Sequence, residues 1–259
     1  MKLTLLGTGT SFGVPQVGCG CAVCRSPDPR DRRCRTSAVI ESGGRRLLID
    51  TPPELRLQLL GARIGAVDAV LYTHEHADHI NGIDDLRAFS VRADHPLACY
   101  GPAETLARLR EGFRYIFDDE VRAFEGTSKP QLELRPLEPG VATTIEGIPV
   151  LPLAFAHGFL RVFGYRFGPV AYITDVKAIP PALDAALQGL KVLVLNALWW
   201  RPHPTHLSIG EAIATAQRIG AEQTYFTHLT HETGHADLAA RLPPGIAPGY
   251  DGLSIEVDA

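Results

Sequence analysis

Residues 74–79 read His-Glu-His-Ala-Asp-His and follow the apolar run Ala-Val-Leu-Tyr-Thr at 69–73. This order predicts a buried strand that ends where a helix begins. Side chains alternate along a strand, so His74 and His76 should point the same way, whereas Asp78 and His79 turn to a second position in the helix. One metal ion needs only three or four protein ligands. The segment therefore predicts two metal ions that share one site.

Further candidate ligands stand at the ends of other apolar runs. His157 follows Leu-Pro-Leu-Ala-Phe-Ala, Asp175 follows Val-Ala-Tyr-Ile-Thr, and His228 follows Thr-Tyr-Phe-Thr. A lone histidine at a strand end is more often a hydrogen-bonded structural residue than a ligand. Taken with the cluster at 74–79, however, these three residues complete two coordination shells.

The sequence also contains a weak internal repeat. Residues 47–55 resemble 171–183, and residues 71–76 resemble 225–231, so each half offers a strand ending in Asp and a strand ending in His. Two halves related by a pseudo-twofold axis would bring four strand ends to one edge, where a shared metal site should lie. Chance similarity between short α/β segments is the alternative.

Length and composition favour one substantial core, and we expect a single domain over residues 1–259. The chain is 45% hydrophobic and 21% charged, and no apolar run approaches the ~20 residues that span a bilayer. Without a membrane span or a recognisable secretory signal, the cytoplasm is the expected location. The net charge of −4 argues against broad electrostatic capture of nucleic acid.

Strand and helix patterns occur both in hairpin-like succession and in β–α alternation. This mixture predicts an α/β fold with mixed sheets covered by helices. The predicted helices are 53–61, 79–89, 102–115, 180–189, 208–219 and 235–241. The predicted strands are 2–6, 37–42, 45–50, 69–73, 97–100, 132–137, 148–155, 163–167, 170–174, 192–198, 223–227 and 253–257.

The order of these motifs resembles the metallo-β-lactamase superfamily across essentially the whole chain. The resemblance implies an αββα sandwich, two mixed sheets flanked by helices, with a binuclear metal site at one edge. It also implies that His74, His76 and His157 hold a first metal, and that Asp78, His79 and His228 hold a second. Asp175 would bridge the two metals. Asp50 would not bind metal itself but would orient one of the ligands.

Imidazole and carboxylate ligands suit Zn, Mn or Fe, and the ligand types do not choose among these metals. The superfamily also contains di-iron oxygen reductases, in which the second histidine of this motif is typically Glu. Here that residue is His76, which favours hydrolysis. The expected chemistry is attack by a metal-activated hydroxide.

Three thiols stand close together in Cys19-Gly-Cys21-Ala-Val-Cys24. In a cytoplasmic protein such spacing indicates metal ligands before disulfides, and a closed zinc site needs a fourth ligand. A reduced cluster without metal is the alternative. The motif narrows the resemblance to the phosphoribosyl cyclic phosphodiesterase (PhnP-like) branch, in which a histidine three residues after the last catalytic histidine completes a structural zinc site. That position holds His231.

His206 stands just before the predicted helix 208–219, where the same branch places its general acid. A phosphodiester releases a poor alkoxide leaving group, so a proton donor helps by about 10²–10⁴-fold. His203 is the competing candidate, and a structural histidine is the alternative. Arg201 is a candidate for phosphate contact or for an exposed salt bridge. His235 carries no motif and is expected at the surface.

These residues predict a binuclear hydrolase of small cyclic phosphodiesters, either phosphoribosyl 1,2-cyclic phosphate or a 2′,3′-cyclic nucleotide. His206, Asp78 and Asp175 are the expected catalytic residues. A tRNA 3′-processing endonuclease, a lactonase or thioesterase, a PqqB-like protein and a binding module without turnover are the alternatives. The expected partner is a small-molecule substrate, and the resemblance implies a homodimer.

Overall fold

The computed structural model describes residues 1–93, 95–121 and 123–258. Within these ranges fourteen strands form two seven-stranded sheets. The first sheet contains, in spatial order, β14 (Ser254–Glu256), β1 (Lys2–Gly7), β2 (Ser37–Ser42), β3 (Arg45–Ile49), β4 (Ala69–Leu71), β5 (Leu97–Gly101) and β6 (Leu132–Pro136). The second contains β13 (Ile246–Pro248), β12 (Gln223–Thr227), β11 (Val192–Asn196), β10 (Val170–Ile173), β9 (Leu160–Phe167), β8 (Ile148–His157) and β7 (Thr143–Ile145).

Seven α-helices accompany the sheets in the described part of the chain. They are α1 (Leu55–Gly61), α2 (Ala77–Ile80), α3 (Arg87–Ala93), α4 (Ala103–Gly112), α5 (Arg114–Phe117), α6 (Ile209–Ile219) and α7 (His235–Arg241). Among the residues described, none of these helices has the length and apolar character needed to cross a membrane.

Alternation along the strands divides the apolar side chains between two faces of each sheet. In β3, Leu47 and Ile49 join a central cluster with Phe163 and Tyr172 of the second sheet, so this cluster lies between the sheets. Leu48, which points the other way, belongs to a cluster with residues of α1, α3 and α4. A third cluster packs β10–β12 against α6 and α7. The layers are therefore helix, sheet, sheet, helix, and the predicted αββα sandwich is confirmed.

The two sheets have matching strand topology. β2 is antiparallel to β3, and β3, β4, β5 and β6 are successively parallel. In the other sheet β9 is antiparallel to β10, and β10, β11, β12 and β13 are successively parallel. The repeat is confirmed for β3 and β10, which occupy equivalent positions and are followed within two residues by Asp50 and Asp175. The other proposed pair is not equivalent, because β4 corresponds in topology to β11 and not to β12.

Several predicted helices are interrupted. The predicted helix 79–89 is α2, a 3₁₀ turn at Ile83–Leu86 and α3. The break falls at Gly82, where a Cβ atom would lie 2.1 Å from the carbonyl oxygen of Pro52. The predicted helix 180–189 consists of two 3₁₀ turns, Pro181–Leu183 and Ala185–Leu187. Pro180 is the N-cap of the first turn and Pro181 is its first residue, positions at which a missing amide proton is tolerated, so the prolines mark where the segment starts.

A buried polar network holds the long loop after β1 against the end of the chain. The Arg33 guanidinium donates to Thr8 Oγ1 at 2.8 Å and to the Gly249 carbonyl at 2.6 Å. It also lies 3.3 Å from Nδ1 of His235, which is only 5% exposed. The expectation that His235 lies at the surface is therefore wrong, because this distant arginine occupies the same interior network.

Candidate metal centre and active site

The predicted ligands converge where the parallel strands of both sheets end. Asp50 and His228 directly follow β3 and β12, and Asp175 is the second residue after β10. Each adopts a left-handed backbone, with φ between 58° and 61°. Such a conformation is uncommon for residues other than glycine and turns the chain sharply at the strand end. His157 is the last residue of β8, which runs in the same direction as β10.

The first group of candidate ligands consists of His74, His76, His157 and Asp175, whose ligand atoms all lie within 4.8 Å of one another. Nε2 of His74 lies 3.0 Å from Nδ1 of His76 and 3.4 Å from Oδ2 of Asp175. Nδ1 of His157 is 3.1 Å from the carbonyl oxygen of Thr205, which leaves Nε2 for the centre.

The second group consists of Asp78, His79, Asp175 and His228, again within 4.8 Å of one another. Nε2 of His79 lies 3.1 Å from Oδ2 of Asp175 and 3.5 Å from Oδ2 of Asp78. Nε2 of His228 lies 3.2 Å from Oδ1 of Asp175. Asp175 is thus common to both groups, and all seven residues predicted from the sequence come together.

Two residues outside these groups fix the orientation of His79 and His74. Oδ2 of Asp50 lies 2.7 Å from Nδ1 of His79 and accepts a 2.7 Å hydrogen bond from the Thr73 hydroxyl. Oδ1 of Asp50 accepts another from the Thr73 amide. The same hydroxyl is 3.0 Å from Nδ1 of His74. Both imidazoles therefore direct Nε2 toward the centre. Thr73 was not predicted, and its only signal is its position next to His74.

Burial and nearby charges set the protonation of the site. Burial lowers the pKa of His74 well below its usual value and that of His157 to about 4, so both imidazoles are neutral at pH 7. Burial would raise the pKa of Asp175, but His228 and His79 outweigh it and hold this pKa well below its usual range. Burial opposes a charge on His79, but the surrounding carboxylates outweigh it and raise the pKa of His79, and Asp175 has the largest effect among them. Anionic carboxylate and neutral imidazole are the forms that bind metal, so metal would displace the proton of His79.

The geometry of the two groups fits divalent metal ions. Nitrogen and oxygen ligands about 2.0–2.1 Å from a tetrahedral ion lie about 3.3 Å apart, close to the separations given above. Within the described ranges, Nε2 of His79 and both ring nitrogens of His228 are buried without a hydrogen-bond partner. Buried polar atoms are rarely left unpaired, so these orphaned nitrogens support the same conclusion.

His206 lies beside both groups. Its Nε2 is 3.8 Å from Oδ2 of Asp175 and has no hydrogen-bond partner among the described residues. Its Nδ1 is 3.0 Å from the Thr205 hydroxyl and 3.2 Å from Nδ1 of His203. Burial lowers the pKa of His206. The following helix, α6, begins with a capping box between Ser208 and Glu211, which fixes the chain directly after His206.

His203 therefore lies behind His206, farther from Asp175. Arg201 is in an exposed ion pair with Glu232, at 2.6 and 3.0 Å, and its guanidinium lies 3.8 Å from the ring centroid of Trp199. The structure thus agrees with the salt-bridge alternative for Arg201 and not with a phosphate contact.

A separate cluster joins Cys19, Cys21, Cys24 and His231, whose ligand atoms lie within 4.8 Å of one another. Nδ1 of His231 is 3.4 Å from Sγ of Cys19 and 3.3 Å from Sγ of Cys21. Sulfur and nitrogen ligands at about 2.3 and 2.0 Å from zinc would be separated by about 3.5 Å, so the cluster fits a zinc ion. Hydrogen bonding by the Cys24 amide and His231 lowers the pKa of Cys21 to about 6.

The facing mixed sheets and the histidine–aspartate centre at their edge define a metallo-β-lactamase fold. Residues 45–229 match the family model described as a beta-lactamase superfamily domain, so the chain belongs to that superfamily. A crystal structure described as a new diphosphatase from the PhnP family is 40% identical, with a TM-score of 0.91 and coverage of 99% of this chain and 98% of that chain. The chain is accordingly a PhnP-like, metal-dependent hydrolase.

Two other relatives differ in described activity. An octanoyltransferase from Porphyromonas gingivalis is 41% identical over 261 residues, which cover 100% of this chain and 52% of that protein. The chain therefore spans about half the length of this relative. A ribonuclease Z from Mycobacterium sp. is 29% identical over 277 residues, covering 97% of this chain and 87% of that protein. These relatives leave the substrate open.

Proposed function

We propose that this hydrolase holds two divalent metal ions and cleaves small cyclic phosphodiesters, phosphoribosyl 1,2-cyclic phosphate or a 2′,3′-cyclic nucleotide. The observation that carries the proposal is the position of Asp175. Its Oδ2 lies 3.4 Å from Nε2 of His74 in one ligand group and 3.1 Å from Nε2 of His79 in the other. A carboxylate so placed suits a bridge between two ions.

In this proposal His74, His76 and His157 would hold one ion and Asp78, His79 and His228 the other, and Asp175 would be a ligand shared by both sites. The ions would be Zn or Mn, or else Fe, since imidazole and carboxylate accept each of them. When bound, two such ions supply an activated water nucleophile at neutral pH and polarise the phosphoryl group. Asp50 keeps Nε2 of His79 directed at its ion.

His206 is the proposed general acid. Its unpaired Nε2 lies beside Asp175, while Thr205 and His203 occupy its other nitrogen. Burial lowers the pKa of His206, which makes its protonated form a stronger acid but leaves less of the imidazole protonated at neutral pH. Because only the protonated form donates, we expect the rate to fall as pH rises through the pKa of His206.

The cysteine cluster is proposed to hold a third ion, a structural zinc. His231 and His228 lie on the same short segment, and the Leu229 amide between them donates to the Thr8 carbonyl at 2.9 Å. Zinc at the cluster would thereby tie the loop after β1 to the segment that carries His228. Its function would be structural, because four protein ligands close a tetrahedral site.

A diphosphate is the second candidate substrate, because a relative that shares 40% identity and nearly the whole fold is described as a diphosphatase. The same centre could cleave either phosphorus–oxygen linkage, and the two substrates differ in the leaving group.

A single-domain organisation of residues 1–259, a cytoplasmic location and a homodimer stay predictions of the sequence.

The decisive experiment is metal analysis of protein purified without added metal, followed by a substrate panel. We expect three metal ions per chain, one of which is lost on thiol alkylation. The panel contains cyclic nucleotide, phosphoribosyl cyclic phosphate, bis(p-nitrophenyl) phosphate, a dinucleoside diphosphate, a lactone, an acyl thioester and precursor tRNA. Turnover of the cyclic phosphodiesters without cleavage of tRNA supports the proposal. Metal content near zero, or turnover restricted to the diphosphate, thioester, lactone or tRNA, overturns it.

A further inference from the structure

A short loop between β11 and α6 carries both His203 and His206. Its base is closed by a 2.9 Å hydrogen bond from the Leu198 amide to the Leu207 carbonyl. The ring of Trp199 meets the ring of His203 edge to face, with 5.3 Å between the centroids. The His203 ring is therefore packed in place behind His206, with 5.0 Å between the two ring centroids.

The Nδ1 atom of His203 is a hydrogen-bond acceptor. Burial lowers the pKa of His203, which favours the neutral ring. The Thr205 amide donates to Nδ1 of this ring at 3.3 Å. Because a backbone amide can only donate, Nδ1 of His203 carries no proton, and the single proton of the neutral ring is on Nε2.

This acceptor determines the hydrogen-bonding role of His206. Nδ1 of His206 lies 3.2 Å from Nδ1 of His203. Since the His203 nitrogen accepts, the His206 nitrogen has to donate, so a neutral His206 carries its proton on Nδ1 and a lone pair on Nε2. Distances of 3.2 and 3.3 Å are long for such hydrogen bonds and fit two donors that share one lone pair.

The other neighbours of His206 do not select this tautomer. The Thr205 hydroxyl, 3.0 Å from Nδ1 of His206, can donate or accept and therefore fits either tautomer. Oδ2 of Asp175 lies 3.8 Å from Nε2 of His206 and, as an anion, favours a proton on that nitrogen. His203 is thus the neighbour that holds the proton on Nδ1.

We propose that His203 is a positioning residue, which keeps one ring proton of His206 on Nδ1 and so makes Nε2 the atom that gives up a proton. This inference rests on the proposed phosphodiesterase function, in which His206 is the general acid. In protonated His206 the Nε2–H bond breaks, its electron pair stays on Nε2, and the proton goes to the leaving alkoxide oxygen. The neutral ring that results is the Nδ1–H tautomer, whose hydrogen bond to His203 is already in place.

The test compares His203→Leu, which has no acceptor, with His203→Asn, whose Oδ1 can take the place of Nδ1. Both substitutions are made in the wild-type protein and in His206→Ala. The substrates for kcat and KM are adenosine 2′,3′-cyclic monophosphate, phosphoribosyl 1,2-cyclic phosphate and bis(p-nitrophenyl) phosphate. His95→Leu is the matched control, because His95 is exposed and its Nδ1 lies 3.1 Å from the carbonyl oxygen of Pro96. Metal content is measured for every variant.

A spectroscopic measurement reports the tautomer without turnover. Long-range ¹H–¹⁵N correlation spectra of the zinc-loaded protein distinguish the Nδ1–H and Nε2–H forms of a histidine ring, and the His206→Ala spectrum assigns the signals of His206. We expect the Nδ1–H form in the wild-type protein and in His203→Asn. In His203→Leu the signals should shift toward the Nε2–H form.

We expect His203→Leu to lower kcat on the cyclic substrates by about 10- to 100-fold, the effect of one hydrogen bond to a charged group, with KM unchanged. The loss on bis(p-nitrophenyl) phosphate should be much smaller, because its leaving group needs no proton. His203→Asn should recover most of the loss. In the His206→Ala background neither substitution should lower kcat further, because no ring remains to be positioned. His95→Leu should match the wild-type protein throughout.

The outcomes separate this inference from the proposed function. If the wild-type protein hydrolyses a cyclic phosphodiester but His203→Leu leaves both kcat and the tautomer of His206 unchanged, the positioning role is refuted and the phosphodiesterase function stands. Equal losses on the cyclic substrates and bis(p-nitrophenyl) phosphate, or the same loss in the His206→Ala background, also refute it, because they indicate damage to the loop or the metal centre. A wild-type protein that hydrolyses no phosphodiester refutes both.

Discussion

Substitution of Asp50 by Asn probes how the metal centre is held. Asp50 is fully buried and serves Thr73 and His79 through three contacts of 2.7 Å. Asn tolerates the left-handed backbone that Asp50 adopts at φ 61°, so the substitution changes the side chain without new backbone strain. It also keeps the size of the side chain and introduces no cavity.

The expected losses of metal affinity and of unfolding free energy depend on which carboxylate oxygen the amide nitrogen replaces. With the Asn oxygen kept toward the Thr73 amide, the new NH₂ group takes the place of Oδ2 and faces Nδ1 of His79. An imidazole that binds metal through Nε2 carries its proton on Nδ1, so two donors would oppose each other. Loss of such an orienting partner typically costs about 10–100-fold in metal affinity, or about 1.4–2.7 kcal/mol. The unpaired buried donor also costs about 1–3 kcal/mol of unfolding free energy in the metal-free protein.

Chelator competition measures the metal affinities, and urea unfolding in excess chelator measures the stability. Asp251→Asn is the control, because Asp251 accepts hydrogen bonds from the Cys34 amide at 2.6 Å and from the Thr8 hydroxyl at 2.8 Å, away from the centre. We expect the control to lose stability but keep its metal affinity. If Asp50→Asn binds both active-site ions as tightly as the wild-type protein, the proposed orientation of His79 is wrong.

Three further predictions concern other parts of the molecule. His206→Ala should lower kcat on alkyl phosphodiesters by about 10²–10⁴-fold. The loss on bis(p-nitrophenyl) phosphate should be much smaller, because its leaving group needs no proton. Equal losses on both substrates would argue against His206 as a general acid. After zinc removal, iodoacetamide at pH 7 should label Cys21, whose pKa is lowered to about 6, before Cys34, whose pKa burial raises to about 12. Labelling of Cys21, followed by mass spectrometry, should slow as pH falls through 6, because the thiolate is the nucleophile; a rate independent of pH contradicts this. Ser208→Ala should remove the capping box of α6 and cost about 0.5–2 kcal/mol in urea unfolding, with metal content unchanged; an unchanged midpoint would mean that the cap contributes nothing.

The repeat in the sequence illustrates how far local pattern extends. Similarity between 47–55 and 171–183 correctly paired β3 with β10, because both strands are buried and turn at an aspartate. Similarity between 71–76 and 225–231 paired β4 with β12, which are not equivalent in the sheets. A short motif predicts how a strand ends, but it does not predict where that strand lies among the other strands of the sheet.

The sequence by itself indicated an α/β fold with helix-covered sheets and the candidate metal ligands, and the family resemblance implied the two-sheet sandwich. Strand periodicity assigns each apolar side chain to a face, and His74, Asp175 and His228 stand at strand ends, which parallel pairing brings to one edge. Only the tertiary structure decided what surrounds them. The Thr205 carbonyl reaches His157 across 48 residues, and Arg33 reaches His235 across 202. Such contacts depend on how distant segments pack, and no local pattern in the chain encodes that.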